Sequence, residues 1–580
     1  MALFKLGLLF GSGPAELGSA LSTVLTTARD LFAGGLAAFI AYTLFYGFFL
    51  SPLRHIPGPW YTRLTGVERK YHAWRHKEHF YFLRMFERYG PLVRVGPNKV
   101  GVGEVGMFRK LMSSHDMTKS QMYTDFAAVG ENIFTTRSPE LNRIRRRQIG
   151  PAFQLSYVRK MEPLIREEGI DRVCHLFEMQ LQAAANKSRA GGRVWATTNL
   201  YHSFTMMATD ILSSLAYGHR FGALDPLIEK AEAELPLSQQ STPRQSQENS
   251  EKTPKQQIGR FEAQETPKTI IDSMVATMML MGLLAEAPAI ARMPPWLLPS
   301  GIRRLYSLRD RFMDFARSTV TRYREWMATK QEGARNDILE AYIRARDPET
   351  GAVMSDREIA AESTVLLAAG TETTATLMVN CVRLLLRHPD KLTKVHEELA
   401  MAFGPSNNDI AYGAAVEKLP YLNAAIYETM RLRASTSGVW PRDAPWGGVT
   451  IGGCLIPHGT VICGSIGGVH LNPQTWPQPK AFIPERFLGD DGDARRKDLV
   501  IFSAGVRMCP GRHLALMELL LTLAIILRRY EFAATDPTTA TLASDDDNDY
   551  YAEVDEACHV TTTFLNPDRD CNFRMARRTA

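Results

Sequence analysis

At 580 residues, the chain is too long for one small domain and long enough for one large domain or for two to four ordinary ones. Hydrophobic residues make up 45% of it and charged residues 22%, which excludes a disordered chain, a collagen-like fibre and a polytopic membrane protein. The net charge of +6 is weak for this length and does not indicate a nucleic-acid-binding protein.

The first predicted element is a membrane-spanning helix. Residues 31–50 carry no charge, and five of these twenty residues are Phe. Twenty helical residues span roughly 30 Å, about the hydrocarbon thickness of a bilayer. A core helix and a late signal sequence are the alternatives. Basic residues follow the span, so the positive-inside rule places the C-terminal bulk of the chain in the cytoplasm.

A stiff elbow follows this helix at Ile56-Pro57-Gly58-Pro59. Two prolines around a glycine cannot continue a helix. The sequence therefore predicts two parts, an N-terminal segment with a single-pass anchor at residues 1–53 and a domain at residues 54–580.

Two polar stretches interrupt the domain. Residues Pro236 to Lys268 contain seven Gln with many Ser, Thr and Pro, and Asp545 to Asp549 form an acidic run. The composition predicts an exposed loop or a disordered insert at 236–268 and a solvated loop at the acidic run.

The rest of the domain has mainly helical patterns. Leu305 to Lys330 is amphipathic, and Ser355 to His388 predicts a long helix that Pro389 stops. The centre of the long helix is apolar nearly all round, so we expect it to be buried. Short apolar runs with Gly turns between Gly447 and Ile466 predict strands. The predicted fold class is mainly α with small β-sheets.

One cysteine stands in a special position. The seven cysteines include no CxxC pair, which excludes a zinc knuckle and a disulfide scaffold and predicts reduced thiols. Cys509 directly precedes a strongly apolar helix, Leu514 to Leu527. Free N–H groups and the positive end of the helix dipole favour a thiolate there. An ordinary buried cysteine at a loop–helix junction is the alternative.

The segment around this cysteine resembles the haem-binding loop of the cytochrome P450 family, Phe-x-x-Gly-x-Arg-x-Cys-x-Gly. Every fixed position is matched, by Phe502, Gly505, Arg507, Cys509 and Gly511. The resemblance implies the P450 fold, in which haem b lies between a long central helix and the cysteine loop. It also implies that the Cys509 thiolate is the axial ligand of the haem iron, a donor that favours O–O cleavage.

A second motif, Ala369-Gly370-Thr371-Glu372-Thr373-Thr374, lies in the middle of the predicted long helix and resembles the oxygen-activation segment of the family. Gly370 opens space against a helix face, and Thr373 can bond back to a carbonyl. An acid beside an alcohol forms a proton-delivery pair, so we expect Glu372 and Thr373 to be catalytic. Simple helix packing is the alternative.

Two further motifs predict a structural network. Glu428 and Arg431 are three residues apart on a predicted helix and share a face, while Arg486 lies just upstream of the cysteine loop. The resemblance implies that these three residues form a buried scaffold rather than catalytic groups. A surface ion pair is the alternative.

Haem carries two propionates, and their burial requires cations. Arg507, Arg442 and Arg146 match family positions for this role, with a solvated helix face as the alternative for Arg146. Many relatives have Trp or His four residues before this last arginine, and the chain departs from that pattern with Asn142.

The resemblance covers residues 54–580 and implies a monooxygenase anchored in the endoplasmic reticulum membrane, with its catalytic domain in the cytoplasm. It implies electrons from NADPH through cytochrome P450 reductase, with cytochrome b5 as a further candidate partner, and O2 and a lipophilic small molecule as substrates. Candidate docking charges for the reductase are Arg145, Arg147 and Arg512. The chain is otherwise similar to fungal members that tailor secondary metabolites.

Three other functions stay open at this stage. They are a redox-neutral isomerase or dehydratase with the P450 fold, a non-catalytic haem-binding protein, and a membrane-tethered interaction protein without haem. The acid–alcohol pair argues against the first, because such enzymes have less need of proton delivery. The residues predicted to line the pocket are Leu366, Ala369, Val439, those near Tyr123 to Phe134, and the loop Thr561 to Phe564. The apolar segment Met293 to Pro299 is expected either to dip into the membrane or to form a buried turn.

Overall fold

The computed structural model describes residues 14–188, 192–236, 267–287, 290–329, 335–404, 410–535, 556–558 and 561–578. Nearly all of the predicted insert at 236–268, and the whole acidic run Asp545 to Asp549, lie outside the described residues. The last two residues assigned to the insert, Pro267 and Lys268, instead begin a helix.

The N-terminal helix α1 (Pro14–Phe45) begins well before the predicted span and continues as a π-helical turn, Tyr46–Leu50. The stretch with transmembrane composition is Ser22–Leu50, whose mean hydropathy is 1.7. Only 6% of its most apolar 18-residue stretch is buried against the rest of the protein. The helix is longer than predicted because an apolar run marks only where a bilayer would be crossed. Backbone hydrogen bonding continues as long as no proline interrupts it.

The chain joins the domain directly after this helix. Leu53 and Ile56 belong to the main hydrophobic core. The hydroxyl of buried Ser51 accepts a hydrogen bond from Arg94 Nη2 at 3.0 Å, and Arg94 N–H donates to the carbonyl of Pro57 at 2.7 Å. The predicted boundary after residue 53 therefore lies within a segment that packs against the domain.

The helices of the first half of the domain are α2 (Val67–Trp74), α3 (Glu78–Tyr89), α4 (Val105–Ser113), α5 (Met122–Asp125), α6 (Pro139–Ile149), α7 (Leu155–Val158), α8 (Glu162–Ile165), α9 (Asp171–Lys187), α10 (Leu200–Tyr217) and α11 (Asp225–Ala233). Those of the second half are α12 (Pro267–Glu286), α13 (Ser300–Met327), α14 (Ile338–Arg344), α15 (Asp356–Arg387), α16 (Pro389–Phe403), α17 (Tyr412–Lys418), α18 (Pro420–Leu432), α19 (Ile466–His470), α20 (Gly489–Asp498), α21 (Arg512–Arg529) and α22 (Pro567–Asp570).

The strands are β1 (Leu92–Gly96), β2 (Lys99–Val102), β3 (Ala196–Asn199), β4 (Val439–Asp443), β5 (Val449–Ile451), β6 (Cys454–Ile456), β7 (Val461–Ser465), β8 (Tyr530–Ala534), β9 (Glu556–Cys558), β10 (Thr562–Phe564) and β11 (Asn572–Arg577). They form a four-stranded sheet in the order β1-β2-β7-β4, a three-stranded sheet in the order β3-β11-β8, and the pairs β5-β6 and β9-β10. Only β2 and β7 pair in parallel among these strands. The predicted class, mainly α with small β-sheets, is confirmed.

Helix α15 is the buried centre of the domain. Ser355 caps its start in a capping box with Glu358, and the helix ends just before Pro389, as the sequence predicted. It packs against α10, α13, α18 and α21. Although it is long and apolar enough to cross a membrane, 67% of its most apolar 18-residue stretch is buried inside the domain. An all-round apolar helix is thus accounted for by burial in protein.

The predicted ion-pair network joins α18 to the segment before the cysteine loop. Arg431 donates from Nε and Nη2 to the two carboxylate oxygens of Glu428, both at 2.8 Å. Arg486 Nε donates to Glu428 Oε1 at 3.3 Å, and Ile483 N–H donates to the same oxygen at 2.9 Å. Arg431 also donates to the carbonyls of His470, Pro479 and Ala481. Both members of the central pair are fully buried, so the network holds the segments together from inside.

Replacing Glu428 with Gln should destabilise the domain, because it leaves the buried guanidinium of Arg431 without its counter-charge. Removal of one partner from a buried ion pair costs about 3–5 kcal/mol. The measurement is the thermal unfolding midpoint, with Glu397→Gln as the control, since Glu397 is exposed on α16. Equal midpoints for the two variants would contradict a structural role for the network.

Candidate functional site

A cavity of about 610 Å³ lies between α15 and the cysteine loop. Its walls come from α15, from α10 and α12, from β4, and from the segment that runs from Ile501 to α21. Most of the lining side chains are aliphatic, aromatic or Met. The volume falls within the roughly 300–1,000 Å³ that is typical of small-molecule sites.

The cysteine loop is fixed by its own backbone and by α4. The N–H of Cys509 donates to the carbonyl of Phe502 at 2.7 Å, which closes the loop. Gly505 has a φ of +55°, a conformation that strains L side chains. A Cβ at this position would also lie 2.3 Å from the hydroxyl oxygen of Ser113 at the end of α4. Glycine is therefore required here by conformation and by close packing.

Cys509 faces the cavity. Its side chain is exposed, and because Cys509 lines the cavity, that exposed surface lies inside the domain. Burial raises the pKa of the Cys509 thiol, while the N–H of Gly511 and the guanidiniums of Arg146 and Arg512 act in the opposite direction. Burial and the helix start thus act on this thiol in opposite directions, and a metal cation bound at Sγ would favour the thiolate.

Two buried arginines face the same cavity with unpaired N–H groups. Arg442 Nε and Arg507 Nε and Nη1 have no hydrogen-bond partner within the described part of the chain. Arg442 Nη1 donates to the hydroxyl of Tyr123 at 2.9 Å. Burial, and then the guanidiniums of Arg442 and Arg146, lower the pKa of Arg507 to about 10. Among the described residues, neither arginine forms a salt bridge that would offset its burial.

Lys119 is a further cation at this wall that sequence reasoning missed. Its ammonium donates to the carbonyls of Ile133 at 3.0 Å and Phe134 at 2.6 Å. Burial, followed by the charges of the three nearby arginines, holds the pKa of Lys119 well below its ordinary value. No motif marks this lysine, and only the fold brings it to Arg442.

Arg146 contacts the cysteine loop. It is not among the described residues that line the cavity. Its Nη2 donates to the carbonyl of Met508 at 2.9 Å, and its Nε donates to Asn142 Oδ1 at 3.3 Å. Asn142, the departure from the family pattern, therefore binds the arginine one turn further along α6. The contact holds α6 in register beside Cys509.

This set of groups fits haem. A single cysteine lines a mostly apolar cavity, and two arginines there have free N–H groups that could bind two carboxylates. Over the described ranges, no group of three or more His, Cys, Asp or Glu could hold a bare metal ion. Among the described residues that line this cavity, Cys509 is the only cysteine, and it is therefore the candidate metal ligand.

Helix α15 presents the predicted acid and alcohol to the cavity, where both line its wall. The hydroxyl of Thr373 donates to the carbonyl of Ala369 at 2.7 Å, and the segment stays α-helical. A Cβ at Gly370 would lie 2.7 Å from Leu212 Cδ1 on α10. This glycine therefore serves the close packing of α10 on α15, in addition to lining the cavity beside Glu372.

The family model for cytochrome P450 matches residues 55–546 of the chain. This chain belongs to the cytochrome P450 family. Membership implies haem as the cofactor, in agreement with the donor set at the cavity.

Fungal enzymes are among the relatives of this P450. Cytochrome P450 monooxygenase helB1 of Aspergillus fumigatus is 30% identical over 560 residues, covering 96% of this chain and 87% of that protein. Cytochrome P450 monooxygenase BipB of Cochliobolus sativus is 28% identical over 516 residues, covering 87% and 91%. The P450 is accordingly an oxidoreductase of the monooxygenase class.

A solved structure supports the fold. The crystal structure of the cytochrome P450DA heme domain matches with a TM-score of 0.64 at 18% identity, covering 87% of this chain and 93% of that chain. The P450 fold expected from the motifs is therefore confirmed.

Two buried acids of this P450 line the cavity and were not predicted. Burial raises the pKa of Glu518 to about 8, although the hydroxyl of Thr374, 3.3 Å from Glu518 Oε1, lowers it. Burial also raises the pKa of Glu362 to about 7, against the effect of Arg145. A sequence signal existed for Glu518, because it is the one charged residue between positions 514 and 527.

Most of the predicted pocket residues fall at the cavity. Leu366 and Ala369 of α15 line it, as does Thr561 before β10. Val439 is not among the described lining residues, whereas the next residue, Trp440, is. Successive residues of a strand face opposite sides, so a prediction in β4 was displaced by one position.

The three arginines proposed as docking charges have different surroundings. Arg145 is buried and pairs with Glu358, so it cannot meet a partner protein. Arg147 pairs with Asp347. Arg512 is partly exposed at the start of α21, beside the cysteine loop.

Replacing Gly505 with Ala should destabilise this P450 more than the same change at Gly459. Gly459 has a φ of +81° but no neighbouring atom within 4 Å of an added Cβ, so Gly459→Ala should cost only the backbone strain, about 1–2 kcal/mol. Gly505→Ala adds the clash with Ser113. Thermal unfolding compares the two variants, and equal losses would show that α4 yields to the new methyl group.

Proposed function

We propose that this P450 is a membrane-anchored haem-thiolate monooxygenase that inserts one atom of O2 into a lipophilic small molecule. The observation that carries the proposal is that Cys509 and the partnerless N–H groups of Arg442 and Arg507, among the described residues, line one largely apolar cavity. A thiol and two cations with N–H groups left to donate match the iron and the two propionates of haem.

Haem bound to a cysteine thiolate supplies the chemistry of O2 activation. Cys509 Sγ would ligate the iron, and Phe502 and Gly505 would hold its loop through the hydrogen bond and the close packing described above. Arg442 and Arg507 would pair their free N–H groups with the propionates.

Two further cations would complete this binding site. Arg146 would act from the edge of the site by holding the carbonyl of Met508, next to the ligand. Burial lowers the pKa of Lys119 and so disfavours its charged form. A propionate beside Arg442 would offset this effect, and Lys119 would then add positive charge to the site.

Glu372 and Thr373 would deliver protons on the α15 side of the cavity. The Thr373 hydroxyl donates its hydrogen to the carbonyl of Ala369, so its oxygen lone pairs are free to accept from the cavity. Delivery would require this hydrogen to rotate away from the carbonyl, after which Glu372 could restore it. General acid help of this kind is typically worth ~10²–10⁴-fold in rate.

The cavity wall favours a lipophilic substrate. Its apolar members include Phe126, Phe134, Met274, Met278 and Leu366. Such a surface binds apolar carbon by excluding water. We infer that the substrate enters with its apolar part toward these side chains.

We infer a single-pass anchor in the endoplasmic reticulum membrane, with the domain in the cytoplasm. The stretch Ser22–Leu50 supports the anchor by its length, hydropathy and exposure. The turn before α13 supports a second contact with the bilayer, because Trp296 is 74% exposed and Leu297 is 49% exposed. Leu298, next to them, is buried, as expected if the segment Met293 to Pro299 forms a buried turn.

Electrons would come from NADPH through cytochrome P450 reductase, with cytochrome b5 as a further donor. The partly exposed Arg512 beside the cysteine loop is the docking charge that the proposal retains. We further infer a role in secondary-metabolite biosynthesis, which rests on the likeness to fungal P450 monooxygenases alone.

Cys509→Ser should abolish the thiolate-type spectrum of the haem protein. A serine hydroxyl cannot replace the sulfur donor, and the other six cysteines lie elsewhere in the fold. The measurement is the carbon-monoxide difference spectrum of the reduced protein. Cys454→Ser, in β6, is the matched control and should leave the spectrum unchanged. A retained thiolate-type band in Cys509→Ser would refute the proposed ligand.

Removing residues 1–50 should shift the protein at least partly from the membrane fraction to the soluble fraction, since the turn at Trp296 remains, and should leave haem binding intact. Removing residues 1–53 should release it equally but lower its unfolding midpoint, because the buried side chain of Leu53 is lost, at about 1.5–3 kcal/mol. The measurements are fractionation and thermal unfolding. Full retention of the shorter truncation in membranes would contradict the anchor.

A further inference from the structure

The carboxylate of Glu372 is held by two hydroxyl groups from different parts of the fold. Tyr201 on α10 lies with its hydroxyl oxygen 3.2 Å from Glu372 Oε1 and donates to it. Thr561, just before β10, donates from Oγ1 to Glu372 Oε2 at 2.8 Å. Each oxygen of the acid therefore has its own donor.

The Tyr201 hydroxyl also meets a third side chain. Its oxygen lies 2.9 Å from Oγ1 of Thr563 on β10. A hydroxyl carries one hydrogen and can accept with its lone pairs. When Tyr201 donates to Glu372, it must therefore accept from Thr563, which makes a directed chain of three groups.

This hydrogen-bond chain runs from outside the cavity to the cavity wall. Tyr201 and Glu372 line the cavity, and Thr563 is not among the described residues that do so. Thr563 is nevertheless partly exposed. Next to Tyr201 on α10, His202 pairs with the exposed Asp568, so this end of the chain is near the protein surface.

We propose that Thr563, Tyr201 and Glu372 form a proton-entry route from the β9–β10 hairpin to the α15 wall of the cavity, with Thr561 as a positioning residue for the carboxylate. The proposal rests on the proposed function, in which Glu372 restores protons to Thr373. It adds where those protons come from.

The proton balance of the route is complete without a charged tyrosine. When Glu372 has given up its proton, Tyr201 passes its own hydrogen to Oε1 and takes one from Thr563, which is replenished by water. The hydroxyls then rotate back to their first orientation. Burial, followed by the charge of Glu372, raises the pKa of Tyr201 and so disfavours a tyrosinate. Tyr201 therefore loses a hydrogen only as it gains one.

The protein contains a matched control on the same pair of helices. Tyr217, at the other end of α10, lies with its hydroxyl oxygen 3.1 Å from Oγ1 of Thr364 on α15. Tyr217→Phe removes a buried hydroxyl between α10 and α15, as Tyr201→Phe does, but the removed group does not reach Glu372.

The test compares Tyr201→Phe, Thr563→Val, Thr561→Val, Glu372→Gln and Tyr217→Phe in the full-length haem protein with a purified P450 reductase. The probes are NADPH and O2 without added substrate. The readouts are the rate of O2 consumption in H2O and in D2O and the share of O2 that leaves as peroxide rather than water. Water formation consumes more protons than peroxide formation, so the share reports proton supply.

We expect Tyr201→Phe and Thr563→Val to lower the rate of water formation about 10-fold, less than the ~10²–10⁴-fold typical of a lost general acid because water can carry part of the flux. The solvent isotope effect should rise in both, and Tyr217→Phe should match the unaltered protein. Thr561→Val should lower the rate without changing the isotope effect.

A second readout does not depend on activity. The unfolding midpoints of Tyr201→Phe, Glu372→Gln and the double variant should be non-additive, because the two side chains share a hydrogen bond. Additive midpoints would show that the contact is not formed, and would overturn the route.

The outcomes separate the inference from the proposed function. Unchanged water formation in Glu372→Gln would remove the proton-delivery role of this acid, and the route would fail with it. If water formation is slow in Glu372→Gln but Tyr201→Phe behaves like the control Tyr217→Phe, the route is overturned and the role of Glu372 is kept. A slow Tyr201→Phe with an unchanged isotope effect would also overturn it, since Tyr201 would then only position the acid.

Discussion

Buried positive charge around one cavity is the constraint on which the site depends. Arg442 and Arg507 carry N–H groups that have no partner among the described residues, and burial holds the pKa of the neighbouring Lys119 low. A cation taken out of water loses several kcal/mol unless charges or hydrogen bonds offset the loss. Glu362 lines the cavity and acts against the lowering of the Lys119 pKa, but burial makes Glu362 itself harder to ionise. A ligand with two carboxylates and a metal for Cys509 would relieve the whole arrangement, which is why the apolar cavity is better read as a cofactor site than as a gap in packing.

The rest of the domain holds these groups at the required places. The Glu428–Arg431 pair ties α18 to the segment that leads into the cysteine loop, and Gly505 lets the loop approach the end of α4. Gly370 allows α10 to pack closely on α15, the helix that carries the acid and the alcohol. Each contact is internal and apolar or fully paired, so the scaffold is rigid where the chemistry needs fixed positions. Function and stability are thus coupled through the same few residues.

The β9–β10 hairpin connects the wall of the cavity to Glu372, the acid to which we assign proton delivery. Thr561 lines the cavity and also donates to Glu372, while Thr563 on the same hairpin reaches Tyr201. A substrate that presses on this hairpin would therefore act on the hydrogen bonds of the acid as well as on the shape of the pocket. Substitutions in the hairpin are expected to alter substrate choice and proton supply together, because one short segment serves both.

The sequence by itself determined the fold class, the family, the cysteine loop and the acid–alcohol pair. These depend on local constraints, such as a positive φ at Gly505, the cap before α15 and the one-residue spacing of Glu372 and Thr373, and local constraints can be read from neighbouring letters. Only the tertiary structure decided the burial of Arg145, the place of Lys119 at the cavity and the partners of Glu372. Tyr201 and Glu372 are 171 residues apart, and which distant side chains meet depends on how the helices pack, a property that no short run of sequence contains.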